Sequence, residues 1–385
     1  MPRPSLTSKD AELRRFAAWL PLYVFLGLIA LLLGSRLGLV RHAFRAAVER
    51  ARGSAVSPDA RQARPDSGEV ALGRLLFFDP ILSANKERAC ASCHVPTRGF
   101  SDGRALALAI DRSDLARNAP GLTNVSDQLV FFWDGRAVSL EDQIDGPVHA
   151  KRELGGLSGR EIEARLDSIA GYRALFRGVY GERSPRYADA KRAIAAYERT
   201  LRSTGSTADR WWRGEIEEGS VPAEARRGFD LFAGKAQCSR CHFLPLTTSV
   251  VPGAFASQEF TVLGVPADSL GHTLDSDPGR YAVTKNPVDR RAFKAPSLRS
   301  IARSAPYMHN GVFQTLDQVV RFYNQGGGRG IGLDVPNQAP EVRPLHLTPA
   351  EERALVQFLE ALSDDPTSVE PPSSVPSGLP VGGRY

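Results

Sequence analysis

Cys90–Arg104 reads CASCHVPTRGFSDGR, and Cys238–Pro245 reads CSRCHFLP. The chain has 4 cysteines and spends all of them on these two C-x-x-C-H motifs. C-x-x-C-H is the attachment signature of c-type haem. Each thiol adds to a vinyl group, the two-residue gap matches the vinyl spacing, and the adjacent histidine becomes the axial iron ligand. Cys90, Cys93 and His94 therefore form one expected haem c site, and Cys238, Cys241 and His242 a second. The competing arrangement is one zinc ion held by Cys90, Cys93, Cys238 and Cys241. It leaves the histidine after each pair unexplained.

The segments leading into the motifs are alike. GRLLFFDP starts at Gly73 and GFDLFAGKAQ at Gly228; both carry G-x-x-L-F, with Leu76–Phe77 matching Leu231–Phe232. Each reads as a short amphipathic helix entering the cysteine motif, so the body is a weak internal repeat. SGREIEARLDSIAGYRALFRGVY, YADAKRAIAAYERTLRS, TLDQVVRFYNQ and TPAEERALVQFLEAL also read as helices. The last opens on a capping box, Thr348 with Glu351. Strand-like alternation is rare. The expected fold is mostly α: two cytochrome-c-like haem domains in tandem, residues 69–220 and 221–363, preceded by one N-terminal transmembrane helix.

That helix is read from Phe16 to Gly34, a stretch without a charged residue and long enough to cross a bilayer. No clear small-residue cleavage site follows, so residues 16–35 read as an uncleaved signal anchor. Residues 1–15 would then be cytoplasmic and 36–68 a linker, its first part continuing the helix. Residues 364–385, rich in Pro, Ser and Gly, read as a disordered tail. Arginines flank the anchor on both sides, so the positive-inside rule gives no orientation. Haem attachment on the outer side of the bacterial inner membrane does, and it places the body in the periplasm. The 49 basic and 43 acidic residues leave a net charge of +6, spread along the chain. No basic run is interleaved with aromatics, so nucleic-acid binding has no support.

Each iron has a sixth position. The chain has 7 histidines and 2 methionines, and apart from Met1 only Met308 is available. Neither residue type occurs between Val95 and Val148. His149 is the one nearby candidate to close the first iron. An open haem binds peroxide or oxygen, whereas a six-coordinate haem mainly passes electrons. The asymmetry suggests one reactive haem and one relay haem.

CASCH…RGFSDGR, RNAPGLTN at Arg117, FFWDGRAVSLEDQIDGP at Phe131, FKAPSLRSIARSAPYMHNG at Phe293 and TLDQVVRFYNQGG at Thr315 follow in one order. In these blocks, from about Gly68 to Leu362, the chain resembles the bacterial dihaem cytochrome c peroxidase family, including its MauG branch. The resemblance implies that Trp133 relays electrons between the haems. Gln143, Pro147 and Glu153 would face the open side of the first haem, with Glu153 as general acid–base. His309 would stand close to the haems without ligating them. Asn118 and the carbonyls of Ser304 and Pro306 would hold a calcium ion.

Two positions depart from ordinary family peroxidases. Where those carry a histidine that blocks the reactive haem, this chain has Ile110, as in the MauG branch. Where they carry a methionine ligand to the second haem, it has Tyr323, with Met308 as the competing candidate. The resemblance implies a peroxidase that reduces hydrogen peroxide with electrons from a small periplasmic cytochrome c or cupredoxin. Oxidation of a partner protein's side chains, as by MauG, is the alternative. A non-enzymatic dihaem electron carrier remains if His149 ligates the first iron.

Overall fold

Gly73 and Gly228, the shared glycines of the two G-x-x-L-F segments, are where the two halves are assembled. The computed structural model describes residues 66–251, 258–364 and 369–383, all within one compact unit. The expected anchor and most of the expected linker lie outside the described residues. Among the described residues, no helix is long and apolar enough to cross a membrane.

The longer described helices are α1 (Ser67–Phe78), α2 (Leu140–His149), α3 (Gly159–Ser168), α4 (Ala170–Tyr180), α5 (Tyr187–Arg199), α6 (Thr207–Trp212), α7 (Ala223–Ala233), α8 (Leu316–Gln325) and α9 (Pro349–Glu360). Helix α1 packs on α5, and α7 on α9. A Cβ on Gly73 would lie 1.8 Å from the Ala193 carbonyl oxygen, and one on Gly228 would lie 1.9 Å from that of Ala354. Each glycine therefore lets two helix backbones touch. Around the first crossing, Leu72, Leu76, Phe77 and Phe78 bury against Ala193, Ile194 and Tyr197. Around the second, Phe232 meets Phe358 with ring centroids 5.1 Å apart. The fold is mostly helical, as expected. A single two-stranded sheet is described, with β1 (Phe260–Val262) antiparallel to β2 (Ala292–Lys294) and Phe260 opposite Lys294.

The capping box of α9 is present, Thr348 accepting from the Glu351 N–H. Ser158–Tyr180, read as one helix, is two. Ile169 is extended between α3 and α4, and the Ser168 hydroxyl donates to the Arg165 carbonyl at 2.7 Å. A β-branched residue after a hydroxyl that bonds back to the backbone ends the helix there.

The tail, expected to be disordered, is ordered over 369–383. Val375 is buried in the first half's core, Ser377 Oγ donates to Asp79 Oδ1 at 2.6 Å, and the Gly382 N–H donates to the Phe78 carbonyl. Composition misleads because the segment borrows a core that it could not build alone.

Candidate active site

Both C-x-x-C-H motifs fold in the same way. Cys90–Ser92 and Cys238–Arg240 are 3-10 turns. The His94 N–H donates to Cys90 O at 3.0 Å and the His242 N–H to Cys238 O at 2.9 Å. Antiparallel bridges, Val95 with Ser101 and Phe243 with Thr248, then close each loop. All four thiols are free. Burial pushes Cys90 and Cys238 up to about 12, so both are neutral thiols at pH 7.

Each motif opens on its own cavity. The first, of about 800 Å³, is lined by Cys90, Cys93 and His94; the second, of about 230 Å³, by Cys238, Cys241 and His242. The cysteine pairs thus face separate spaces, which removes the shared zinc site. Burial lowers the His94 pKa, so its ring is neutral, and Nδ1–H donates to the Phe100 carbonyl at 2.8 Å. The Nε2 lone pair is then free to ligate a metal. Burial takes His242 down to about 4, and its Nδ1 is buried without a hydrogen bond. Free paired thiols, a neutral imidazole and an adjoining apolar space fit a covalently held haem in both halves.

The sixth-ligand prospects differ. Among the described residues, His94 is the only histidine lining the first cavity, and no methionine or tyrosine joins it. His149, the candidate to close that iron, lies elsewhere: its Nδ1 donates to the Leu157 carbonyl at 2.7 Å, and its Nε2 is 3.5 Å from Asp145 Oδ1. Ile110 donates its N–H to the Arg152 carbonyl in a tight loop, while Ala107 and Leu108 of that loop line the cavity. The second cavity carries Tyr323, Met308 and His309. Burial raises the Tyr323 pKa, and its hydroxyl makes no hydrogen bond to a described group.

One wall of the first cavity is built by α2 and the turn after it. Ser139 caps the helix, and Gln143 and Pro147 follow one helical turn apart on one face. The Leu154 N–H donates to the Pro147 carbonyl, returning the chain so that Glu153 lines the same cavity. Burial raises the Glu153 pKa, with Arg136 opposing. Trp133 lines both cavities, and its Nε1–H donates to the Asn118 carbonyl at 3.0 Å.

His309 is buried and stacks on Phe293 at 3.8 Å, its Nε2 standing 3.3 Å from Asp275 Oδ1. Burial opposes ionisation of Asp275, but His309, Asn310 and the Asp277 N–H outweigh it and hold the carboxyl at about 2. Asn118 turns its Nδ2 to the carbonyls of Arg104, at 2.7 Å, and Pro306, at 3.5 Å. Two members of the expected calcium set, Asn118 and the Pro306 carbonyl, are thus adjacent, with the Asn118 amide nitrogen turned toward the carbonyl.

Several groups escape a reading of the sequence. Arg117 bridges the halves, with NH1 to Asp134 at 2.6 Å and Nε to Asp277 at 2.7 Å. Glu198 is 4% exposed and lines the first cavity, and burial pushes its carboxyl up to about 8. A signal for it exists: it falls four residues after Ile194 on the buried face of α5. Lys294 is buried and lines both cavities.

Residues 67–217 match the family model described as di-haem cytochrome c peroxidase. Cytochrome-c peroxidase IdrP1 of Denitromonas iodatirespirans is 38% identical over 323 residues, 77% of this chain and 81% of that protein. Methylamine utilization protein MauG of Methylorubrum extorquens is 36% identical over 318 residues, 82% of this chain and 83% of that one. Among solved structures, a MauG-like protein associated with microbial copper homeostasis aligns with a TM-score of 0.70 at 30% identity, covering 78% of this chain and 91% of its own. The diheme peroxidase BthA from Burkholderia thailandensis aligns with a TM-score of 0.64 at 25% identity, covering 85% and 93%.

Proposed function

The chain is an oxidoreductase of the di-haem cytochrome c peroxidase family, on its MauG-like branch, and from that premise we propose that it reduces hydrogen peroxide at the first site and draws electrons through the second. The observation that carries the reading is the asymmetry of the cavities. The first offers His94 and no second histidine, methionine or tyrosine among the described residues, while the second offers Tyr323 and Met308 in the same lining as His242.

Cys90, Cys93 and His94 would hold one haem c, and Cys238, Cys241 and His242 the other, with Tyr323 as the sixth ligand of the second. When bound, the haems supply the redox chemistry, cleavage of the peroxide O–O bond by two electrons. The protein supplies the remainder. Glu153 takes a proton from peroxide at a carboxylate oxygen and returns it to the departing oxygen as water. Its raised pKa suits that exchange, because a buried carboxyl both accepts and releases a proton nearer neutrality. The Gln143 amide donates to peroxide and orients it. Pro147 adds an apolar face that excludes water. Trp133, pinned through Nε1, holds its indole between the cavities as the electron relay. With two protons and two electrons, one peroxide yields two waters.

The electrons would come from a small periplasmic cytochrome c or cupredoxin. The charge-free stretch Phe16 to Gly34 would anchor the chain in the bacterial inner membrane, with the body in the periplasm where c-type haem is attached. The MauG relative and Tyr323 support a second reading, in which the oxidising equivalents pass to side chains of a partner protein. Low-temperature EPR of the oxidised holoprotein, before any reductant, tests the reading. One high-spin and one low-spin ferric signal are expected. Low-spin signals alone would mean that the first iron is closed at rest and would overturn it.

A further inference from the structure

Lys294 ends β2, its N–H donating to the Trp133 carbonyl at 2.9 Å. The residue is 8% exposed and lines both cavities. Its ammonium makes no hydrogen bond or ion pair with a described protein group. Of the arginines that line these cavities, three are paired with carboxylates: Arg117 with Asp134 and Asp277, Arg136 with Asp134, and Arg299 with Asp209. Native folds rarely bury a lysine without a partner, because desolvating an unpaired ammonium is costly. Burial alone brings Lys294 down to about 7. The counter-charge that would keep it protonated has to come from whatever fills the cavities. The carboxylates that line the first cavity, Glu153 and Glu198 among them, make no ion pair with Lys294, and each haem c brings two propionate carboxylates.

We propose that the Lys294 ammonium is the haem-propionate partner at the junction of the two cavities, and that its charge raises the reduction potential of the haem it pairs with. The inference rests on the dihaem reading above. Reduction adds an electron to the iron, so a fixed positive charge nearby favours the reduced state. The same lysine binds its backbone to Trp133, so the charge stands beside the expected electron route.

The test uses holoprotein carrying both haems, in the wild type and as Lys294→Met, Lys294→Gln and Lys294→Arg. Midpoint potentials come from spectroelectrochemical titration, and propionate bending bands from resonance Raman. Lys294→Met and Lys294→Gln should lower the potential of at least one haem, by about tenfold in the reduction constant, or ~59 mV for one electron. They should also shift the propionate bands, while Lys294→Arg retains both. Unchanged potentials and bands in the neutral variants would overturn the inference, as would an Arg variant displaced as far as Met. A wild-type potential that follows added phosphate would place a diffusible anion there instead and would also overturn it. Should Lys294→Met not load haem, the Gln and Arg variants decide. None of these readouts needs peroxide turnover, so they stand apart from a failure of the peroxidase reading.

Discussion

Glu153 and Glu198 are two carboxyls at one cavity with different consequences. Glu153 has Arg136 to moderate its burial. Glu153→Gln keeps the shape and removes the proton carrier, and should lower kcat/KM for peroxide about 10²–10⁴-fold, measured by stopped flow with an artificial electron donor. Because the carboxylate is the working base and its pKa is raised, wild-type kcat/KM should fall as pH drops through that raised value. The variant should lose this acidic limb; an unchanged rate would remove Glu153 from the mechanism. Glu198 is read through stability. Its folded pKa of about 8 lies above the ordinary 4.5. Between those values the unfolded chain binds fewer protons than the fold, so stability declines as pH rises from 4.5 to 8. Glu198→Gln should flatten that decline and raise Tm above pH 8, by a stability gain on the order of a few kcal/mol at most. Equal pH dependence in both proteins would show that Glu198 is not held protonated. At this scale the attachment residues were legible because cysteine spacing is itself the chemistry. Lys294 was not, since no local pattern distinguishes a cation facing a cavity from one facing water.

The repeated G-x-x-L-F segment shows what an element adds. The sequence relates the two segments, but only the structure shows that Gly73 and Gly228 do the same job at two helix crossings, α1 on α5 and α7 on α9. Gly228→Ala drives a methyl into the Ala354 carbonyl and should destabilise the protein by about 1–3 kcal/mol, read by chemical denaturation. Gly178, in α4, is the control: a Cβ there would meet nothing within 4 Å, and its alanine variant should be neutral or slightly stabilising. A similar loss at both sites would mean that helix contact is not the cause. Helix patterning placed α5, α8 and α9 well, although α5 is buried all round from Ala193 to Glu198 rather than along one stripe. It joined α3 to α4 wrongly because both share the face that packs inward, and period alone cannot see Ile169 extend between them.

Across the whole molecule, Asp79 ties the segment around Ser377 to the end of α1. It is fully buried and accepts from the Ile81 N–H, from the Tyr172 hydroxyl at 2.7 Å and from Ser377. Asp79→Ala leaves those donors without their acceptor and should destabilise the holoprotein by about 2–4 kcal/mol. Amide exchange at Gly382 should rise to that of an open segment. Protection at Gly382 equal to wild type would show that Asp79 does not secure the tail. The tail was illegible because its order comes from residues almost three hundred positions away. It also covers something: a Cβ on Gly382 would come within 2.7 Å of Ala89, and one on Gly383 within 3.0 Å of Ala91, the two neighbours of Cys90. Residues 382–383 therefore close over the first haem-attachment loop. Whatever frees that segment also uncovers the two neighbours of Cys90, so order at 382–383 reports on the packing of the attachment loop.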